Sequence, residues 1–334
     1  MTKPSRASPG ARTLARIEHA LEVLEVEHGD GVLALPDGLT LAVRHLRKEL
    51  WPAAHITKGA LLRYYVRLAP LLLPTVRDRP LTSKYYPGGP LRHGGFRQRA
   101  PATVPTGVDV RVLDIDIPVR RRLVGGALIT LLFMVNAGVI SQDPWLSRVG
   151  SLDTPDFCVF DLDPMPSVRF RSIRDVANAV REALGDLGVA SAFAKTSGAS
   201  GLHVYVPLAA GTSYADSRTL CDVVAQFVAR RHGRIATVER TIARRGAHVY
   251  IDCLQNLRAK TIATAYSARA TPFAGASMPV RWDELEAGVD PRDFTVANAE
   301  AHIRKVGDLW AALRTARGVA PRELARVAHA RGRA

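Results

Sequence analysis

The sequence predicts a mixed α/β protein, and three observations carry that prediction. Between residues 157 and 252, short apolar strand-like runs alternate with stretches of helical period. Two of those runs end on an aspartate, Asp161 and Asp252. At 334 residues, 47% hydrophobic and 23% charged, the chain can bury a core as one large domain or two small ones. The same proportions exclude a wholly disordered, collagen-like or coiled-coil chain.

Residues 1–12 are mostly small, polar and basic and read as a disordered basic arm. Leu14, Ile17, Leu21 and Leu24 set the period of a first helix, ended by Gly29-Asp30-Gly31. Thr57 is placed to cap a second helix through Leu61, Leu62, Tyr65, Leu68 and Ala69, which Pro70 and Pro74 should stop. Residues 80–107 are rich in Pro and Gly and suggest hairpins and an exposed loop rather than a core element. Residues 123–140 form an apolar stretch about as long as a membrane span, but Gly125, Gly126, Thr130 and Asn136 interrupt it. A buried core helix is the expectation there, since a single span would split the motifs between two compartments.

Residues 157–160 are a short apolar run ending at Asp161, on a strand that Pro164 ends just after Asp163. Residues 173–184 follow as a helix, 202–206 as a strand, 221–228 as a helix and 248–251 as a strand ending on Asp252. From about Ala312 the chain is Arg- and Ala-rich, suggesting a helix with a frayed basic end.

Charge narrows the partners. Forty-six Lys and Arg against thirty-one Asp and Glu give +15, mostly from arginine, whose planar fork suits phosphate. Nucleic acid is favoured over an acidic membrane surface. The 3 cysteines, Cys158, Cys221 and Cys253, are odd in number and lack CxxC spacing. They suggest free thiols in a reducing cytoplasm rather than a disulfide framework. No signal peptide is recognisable in the first thirty residues.

Four constellations carry candidate chemistry. Asp161 and Asp163 are two apart on a strand, so both carboxylates face one side and can converge on a hard cation. Asp252, at the end of another short apolar strand, supplies a third carboxylate for a two-metal cradle. Oxygen ligands fit Mn²⁺ or Mg²⁺, and no His/Cys cluster has zinc spacing. The stretch Lys195-Thr196-Ser197-Gly198-Ala199-Ser200-Gly201-Leu202-His203 offers backbone N–H groups, two hydroxyls and an imidazole to an anion, without the order of a Walker A loop. Arg244, Arg245, Arg258, Lys260 and Arg269 flank Asp252 and could hold triphosphate oxygens. Taken singly, each has a plain alternative: a solvated turn, a capping Asp, a Gly/Ser hairpin or a basic face.

Taken jointly, these pieces resemble the archaeo-eukaryotic primase superfamily, specifically the polymerase domain of bacterial ligase D and its stand-alone relatives. The resemblance covers roughly residues 40–310. It rests on Lys48-Glu49-Leu50-Trp51-Pro52 with Thr57-Lys58-Gly59, on Arg79-Pro80-Leu81 with Lys84, and on Phe160-Asp161-Leu162-Asp163-Pro164. Ser197-Gly198 with Gly201-Leu202-His203-Val204-Tyr205 continues it, as do Ile251-Asp252-Cys253-Leu254-Gln255-Asn256, Lys260-Thr261 and Tyr266-Ser267-Ala268-Arg269.

The resemblance implies a primase-polymerase fold: a mixed-sheet, RRM-like catalytic core with an N-terminal α/β subdomain. It divides the chain into a basic arm and helix (1–35), a catalytic domain (36–312, in parts 36–150 and 151–312) and a basic tail (313–334). Asp161, Asp163 and Asp252 would hold the metals. Ser197, Ser200, His203, Lys84, Arg245, Lys260 and Arg269 would form the nucleotide pocket. Lys48 and Lys58 would grip a 5′-phosphate across a DNA gap, Lys58 at a helix start whose free N–H groups favour an anion. Phe96 would stack on the template.

Three departures stand out: Ser200 replaces a common lysine, Gly95 replaces the aromatic partner of Phe96, and Gln142-Asp143-Pro144 replaces a stretch that often carries a histidine beside the sugar. The implied activity is metal-dependent primer extension over gaps or broken ends, with nucleoside triphosphates and DNA as partners. A separate DNA ligase and an end-binding protein would cooperate, in a cytoplasmic, nucleoid-associated setting without a membrane, and the length leaves no room for ligase or phosphoesterase modules. De novo priming and a non-catalytic end-binding module are the alternatives.

Overall fold

A computed structural model describes residues 9–115 and 118–322. In chain order the elements are α1 (Ala11–Glu27), β1 (Gly31–Ala34), β2 (Thr40–Val43), β3 (Glu49–Trp51), β4 (Ile56–Thr57), α2 (Lys58–Val76), β5 (Leu81–Tyr85), β6 (Gly95–Arg97), β7 (Val110–Val112), β8 (Arg121–Leu123), α3 (Leu128–Asn136) and β9 (Asp143–Pro144). The second half holds β10 (Phe157–Pro164), α4 (Phe170–Asp186), β11 (Phe193–Thr196), β12 (Leu202–Pro207), α5 (Tyr214–Arg231), β13 (Ala236–Thr237), β14 (Val249–Asp252), β15 (Pro279–Val280), α6 (Trp282–Ala287), α7 (Ala299–Val306) and α8 (Trp310–Thr315).

The second half is built on a six-stranded mixed sheet in the order β13-β14-β10-β12-β11-β15. All neighbours run antiparallel except the β13–β14 pair. Alternation along β10 sends Cys158, Phe160 and Leu162 to one face, and α4 and α5 cover it: Cys158 Sγ meets the Ser217 carbonyl of α5 at 3.4 Å. The amphipathic face of α4 (Ile173, Val176, Ala177, Val180 and Leu184) is buried there. Asp161 and Asp163 therefore point to the opposite face, away from α4 and α5.

The N-terminal half meets the second half through α2 and β3, which bond to the loop between β14 and β15. Tyr64 donates its hydroxyl to the Tyr266 carbonyl at 2.9 Å, the Ala268 N–H donates to the Tyr65 hydroxyl at 3.0 Å, and the Trp51 indole donates to the Thr271 carbonyl at 2.7 Å.

Several expectations are corrected. Helix α2 runs through Pro70 and Pro74 to Val76, because Leu68, Ala69, Leu72, Leu73 and Val76 are all buried and packing outweighs the lost backbone bonds. The first helix starts at Ala11, inside the stretch read as a disordered arm, and residues 1–8 lie outside the described residues. Strand β10, by contrast, ends at Pro164 as expected, with Asp161 and Asp163 both on it and β14 paired to its second half. Residues 123–140 hold a buried core helix as expected, the nine-residue α3, and no helix among the described residues is long and apolar enough to cross a membrane. The 80–107 region does form a hairpin, β5–β6, but Leu81, Thr82 and Ser83 are buried. Helix α8 ends at Thr315, yet Leu313 is buried and Val319 bridges Leu208, so the packed body extends past residue 312. Residues 323–334 lie outside the described residues. Cys221 and Cys253 are paired in a disulfide, with Cα atoms 5.7 Å apart, and only Cys158 is free. The sequence separation of 32 concealed it, because only the packing of α5 beside the end of β14 brings the two together.

Candidate active site

Asp161 lies at the centre of the sheet, directly opposite Asp252 on β14 and His203 on β12. Asp163, two residues on, shares its face. One carboxylate oxygen from each of the three aspartates lies within 4.8 Å of the others. Such a cluster is electrostatically costly without a cation. Burial, opposed by the charges of Lys195, Arg269 and Lys84, pushes the Asp161 carboxyl up to about 6. Loss of hydration, then repulsion from Asp161 and Asp252, pushes Asp163 up to about 7. Asp252 is also raised, mainly by burial, although the Leu254 N–H donates to its Oδ1 at 2.7 Å. An oxygen-only donor set that repels itself fits a hard divalent cation.

His203 is 3% exposed, and its Nε2 lies 3.2 Å from Asp161 Oδ1. Burial, with the charges of Lys195 and Arg269 beside it, holds the imidazole well below its ordinary range, which favours the neutral ring. Ser197 sits where β11 gives way to the loop before β12. Its Oγ accepts from the N–H groups of Ala199 (3.1 Å) and Gly201 (3.0 Å), leaving its own proton to donate. The loop needs its glycines: Gly198 has φ +73°, and a Cβ there would lie 2.6 Å from the Arg269 side chain. A Cβ on Gly201 would meet the Leu162 carbonyl at 2.5 Å. The loop thus lies on the metal strand itself. Arg269 donates to the Ser197 carbonyl at 2.8 Å, and its charge favours ionised Asp161 and Asp163.

The remaining cations divide. Arg245 stacks on Tyr250 at 3.7 Å and favours ionised Asp163 and Asp252. Lys84 pairs with Asp143 at 2.9 Å and reaches Asp161 by its charge. Arg258 instead pairs with Asp153 at 2.6 Å, while Arg244, Lys260 and Ser200 stand exposed without side-chain contact to the carboxylates. The sequence reading passed over four residues. Lys195 is fully buried opposite His203, and its Nζ lies 2.5 Å from Ser277 Oγ. Burial holds its ammonium well below the ordinary range. Gln255 reaches Asp161 at 3.5 Å, and Asn256 clamps the turn after Asp252 to Val159 with bonds of 2.8 and 2.7 Å. Asp143 is the fourth. All four lie inside the motifs and stretches named above, but nothing in their spacing shows which neighbour each would face.

Lys48 and Lys58 do come together, as the β3–β4 hairpin brings the Lys58 N–H to the Lys48 carbonyl at 2.8 Å. The helix start between them is not free, however. The N–H groups of Lys58, Gly59 and Ala60 are already bonded to Lys48, Leu46 and the Thr57 side chain, so a phosphate there would meet the ammonium groups alone. Lys58 donates to the Arg44 carbonyl at 2.6 Å, Lys48 donates to the Pro87 carbonyl, and burial lowers Lys58 to about 8. Phe96 is 60% exposed on β6, opposite Lys84. The glycine beside it has a cause: a Cβ on Gly95 would strike the Tyr85 ring at 2.5 Å.

This fold and this acidic centre define a class. The family model for the LigD primase-polymerase domain matches residues 57–310, and the chain belongs to that family. It is 28% identical over 271 residues to the multifunctional non-homologous end joining protein LigD of Mycolicibacterium smegmatis, covering 80% of this chain and 35% of that protein. It is 27% identical over 252 residues to the bifunctional LigD of Bacillus subtilis, covering 75% of this chain and 40% of that protein. The chain therefore spans well under half the length of these relatives. Among solved structures, the polymerase domain of Mycobacterium tuberculosis ligase D in complex with DNA superposes with a TM-score of 0.75 at 25% identity. That match covers 82% of this chain and 97% of the other.

Proposed function

We propose that this protein is a metal-dependent nucleotidyltransferase that extends a DNA primer across short gaps or at broken ends in end-joining repair. The observation that carries the reading is the convergence of Asp161, Asp163 and Asp252 within 4.8 Å beside neutral His203 and Arg269. Mn²⁺ or Mg²⁺ held by these carboxylates would supply activation of the primer 3′-oxygen and charge stabilisation at the departing pyrophosphate.

The chain's own residues complete the pocket. Arg269 and Arg245 place positive charge beside the carboxylates where triphosphate oxygens would gather, and the Ser197 hydroxyl, whose oxygen already accepts two loop N–H groups, is free to donate its proton to them. His203, buried with its Nε2 3.2 Å from Asp161, packs beside that carboxylate at the floor of the pocket. Lys48 and Lys58 offer paired ammonium groups to a downstream 5′-phosphate, and exposed Phe96 offers a stacking face to a template base. Retention of all three carboxylates speaks against a vestigial, purely DNA-binding module.

The test is a primer-extension series on gapped and open templates, with ribo- or deoxynucleotides and Mn²⁺ or Mg²⁺. Extension that requires the cation and is strongest on gaps supports the reading. Products begun without a primer would move the assignment to de novo priming, and binding of gapped DNA without synthesis under any condition would refute it.

A further inference from the structure

The pairing of Lys84 with Asp143 raises a question that the metal site itself does not answer. Lys84 lies on β5 within electrostatic reach of Asp161 and His203. A flexible ammonium within reach of Asp161, one of three carboxylates that repel one another, has a place to go: into their midst, as an internal cation. It does not go there. Asp143, on β9, is 0% exposed and accepts from Lys84 Nζ at 2.9 Å, while Ser141 Oγ donates to its other oxygen.

Backbone register sets this arrangement. Strand β9 pairs with β5 so that Asp143 stands opposite Thr82, two residues from Lys84 and on the same face. On the other edge of β5, Lys84 stands opposite Phe96. A carboxylate fixed at one oxygen by a hydroxyl and shielded from water holds an ammonium on its other oxygen more firmly than a solvated one does.

We propose that Asp143 is a positioning residue that holds Lys84 at the wall of the pocket and so keeps the Asp161–Asp163–Asp252 cradle open for a metal cation. The inference rests on the metal reading above. Neutralising Asp143 releases Lys84 to swing toward the aspartates and compete with the metal. Its loss should therefore weaken metal binding by way of Lys84, although neither residue is a metal ligand.

The test is direct Mn²⁺ binding to the full chain without nucleotide or DNA, followed by the electron paramagnetic resonance signal of free Mn²⁺. Asp143→Asn preserves shape and one acceptor while removing the charge, and thermal unfolding confirms that the variant is folded. Its Mn²⁺ Kd should rise by about threefold to a hundredfold, the span of coupling between contacting charged residues. Adding Lys84→Met to Asp143→Asn should return the Kd to that of Lys84→Met alone. A purely structural role for Asp143 would not be cured by removing a second residue. An unchanged Kd in Asp143→Asn, or a raised Kd that Lys84→Met does not restore, overturns the inference while leaving the metal site standing. A wild-type chain that binds no Mn²⁺ overturns the metal reading itself.

Discussion

Two charged regions of this molecule are built on opposite plans. Asp161, Asp163 and Asp252 project from neighbouring central strands of a six-stranded sheet, so ladder pairing alone sets their separation. Lys48 and Lys58 project from a short hairpin and the first residue of a helix, and each ammonium is tied to a carbonyl oxygen. The carboxylates are short side chains on a rigid frame and are crowded against their own repulsion. The lysines are long, and their heads rest on groups that a phosphate would have to displace. A site that must hold a cation at fixed geometry gains from the first plan, and one that greets a variable DNA end gains from the second.

The largest expected effect falls on the rigid region. Asp161→Ala, Asp163→Ala or Asp252→Ala should each reduce primer extension to background while leaving duplex binding, measured by fluorescence anisotropy, nearly intact. An Asp161/Asp163 double variant that still extends a primer would break the comparison at its root.

Next in size is the cation that bridges the serine loop to the carboxylates. Arg269→Ala removes a charged hydrogen-bonding partner worth about 1.5–3 kcal/mol, so the nucleotide KM should rise about tenfold or more. Ser200→Lys, at an exposed position of the same loop, should lower it. If KM stays unchanged in both variants, the loop does not serve the triphosphate.

A smaller effect is expected at the flexible region. Wild-type protein should bind a gapped duplex bearing a downstream 5′-phosphate several-fold better than the 5′-hydroxyl form, by about 1 kcal/mol. Lys48→Ala with Lys58→Ala should erase that difference and spare extension on an open primer-template. Absence of any phosphate preference at moderate salt would show that these lysines are ordinary surface and packing charges.

The smallest effect is on stability. The carboxyls of Asp161 and Asp163 are raised to about 6 and about 7, so the metal-free folded chain binds these protons more tightly than the unfolded chain does. Stability from this cluster is therefore present at low pH and lost as pH rises through 6 to 7. In chelator, Tm should fall by a few degrees between pH 5.5 and 8, less so in Asp163→Asn, and Mn²⁺ should restore it at pH 8. A wild-type pH profile that matches that of Asp163→Asn would mean that the carboxylates do not strain one another.

The difference between the regions also explains what could be read in advance. Sequence by itself determined the mixed α/β class, the period of α1, α4 and α5, the strands around Asp161, His203 and Asp252, and the three carboxylates as a candidate metal set. Each of those follows from local patterns: alternation places Asp161 and Asp163 on one face, and apolar runs mark the central strands. Tertiary structure alone decided that α2 would pass through two prolines, because burial on several sides outweighs a propensity read along one chain. It alone joined Cys221 to Cys253, occupied the N–H groups at the start of α2, and laid Tyr85 over Gly95. It also set Asp143 against Lys84, 59 residues away. A side chain's partner depends on which strands pair and how their layers pack, and neither hydrophobic period nor motif spacing encodes contacts between residues so far apart along the chain.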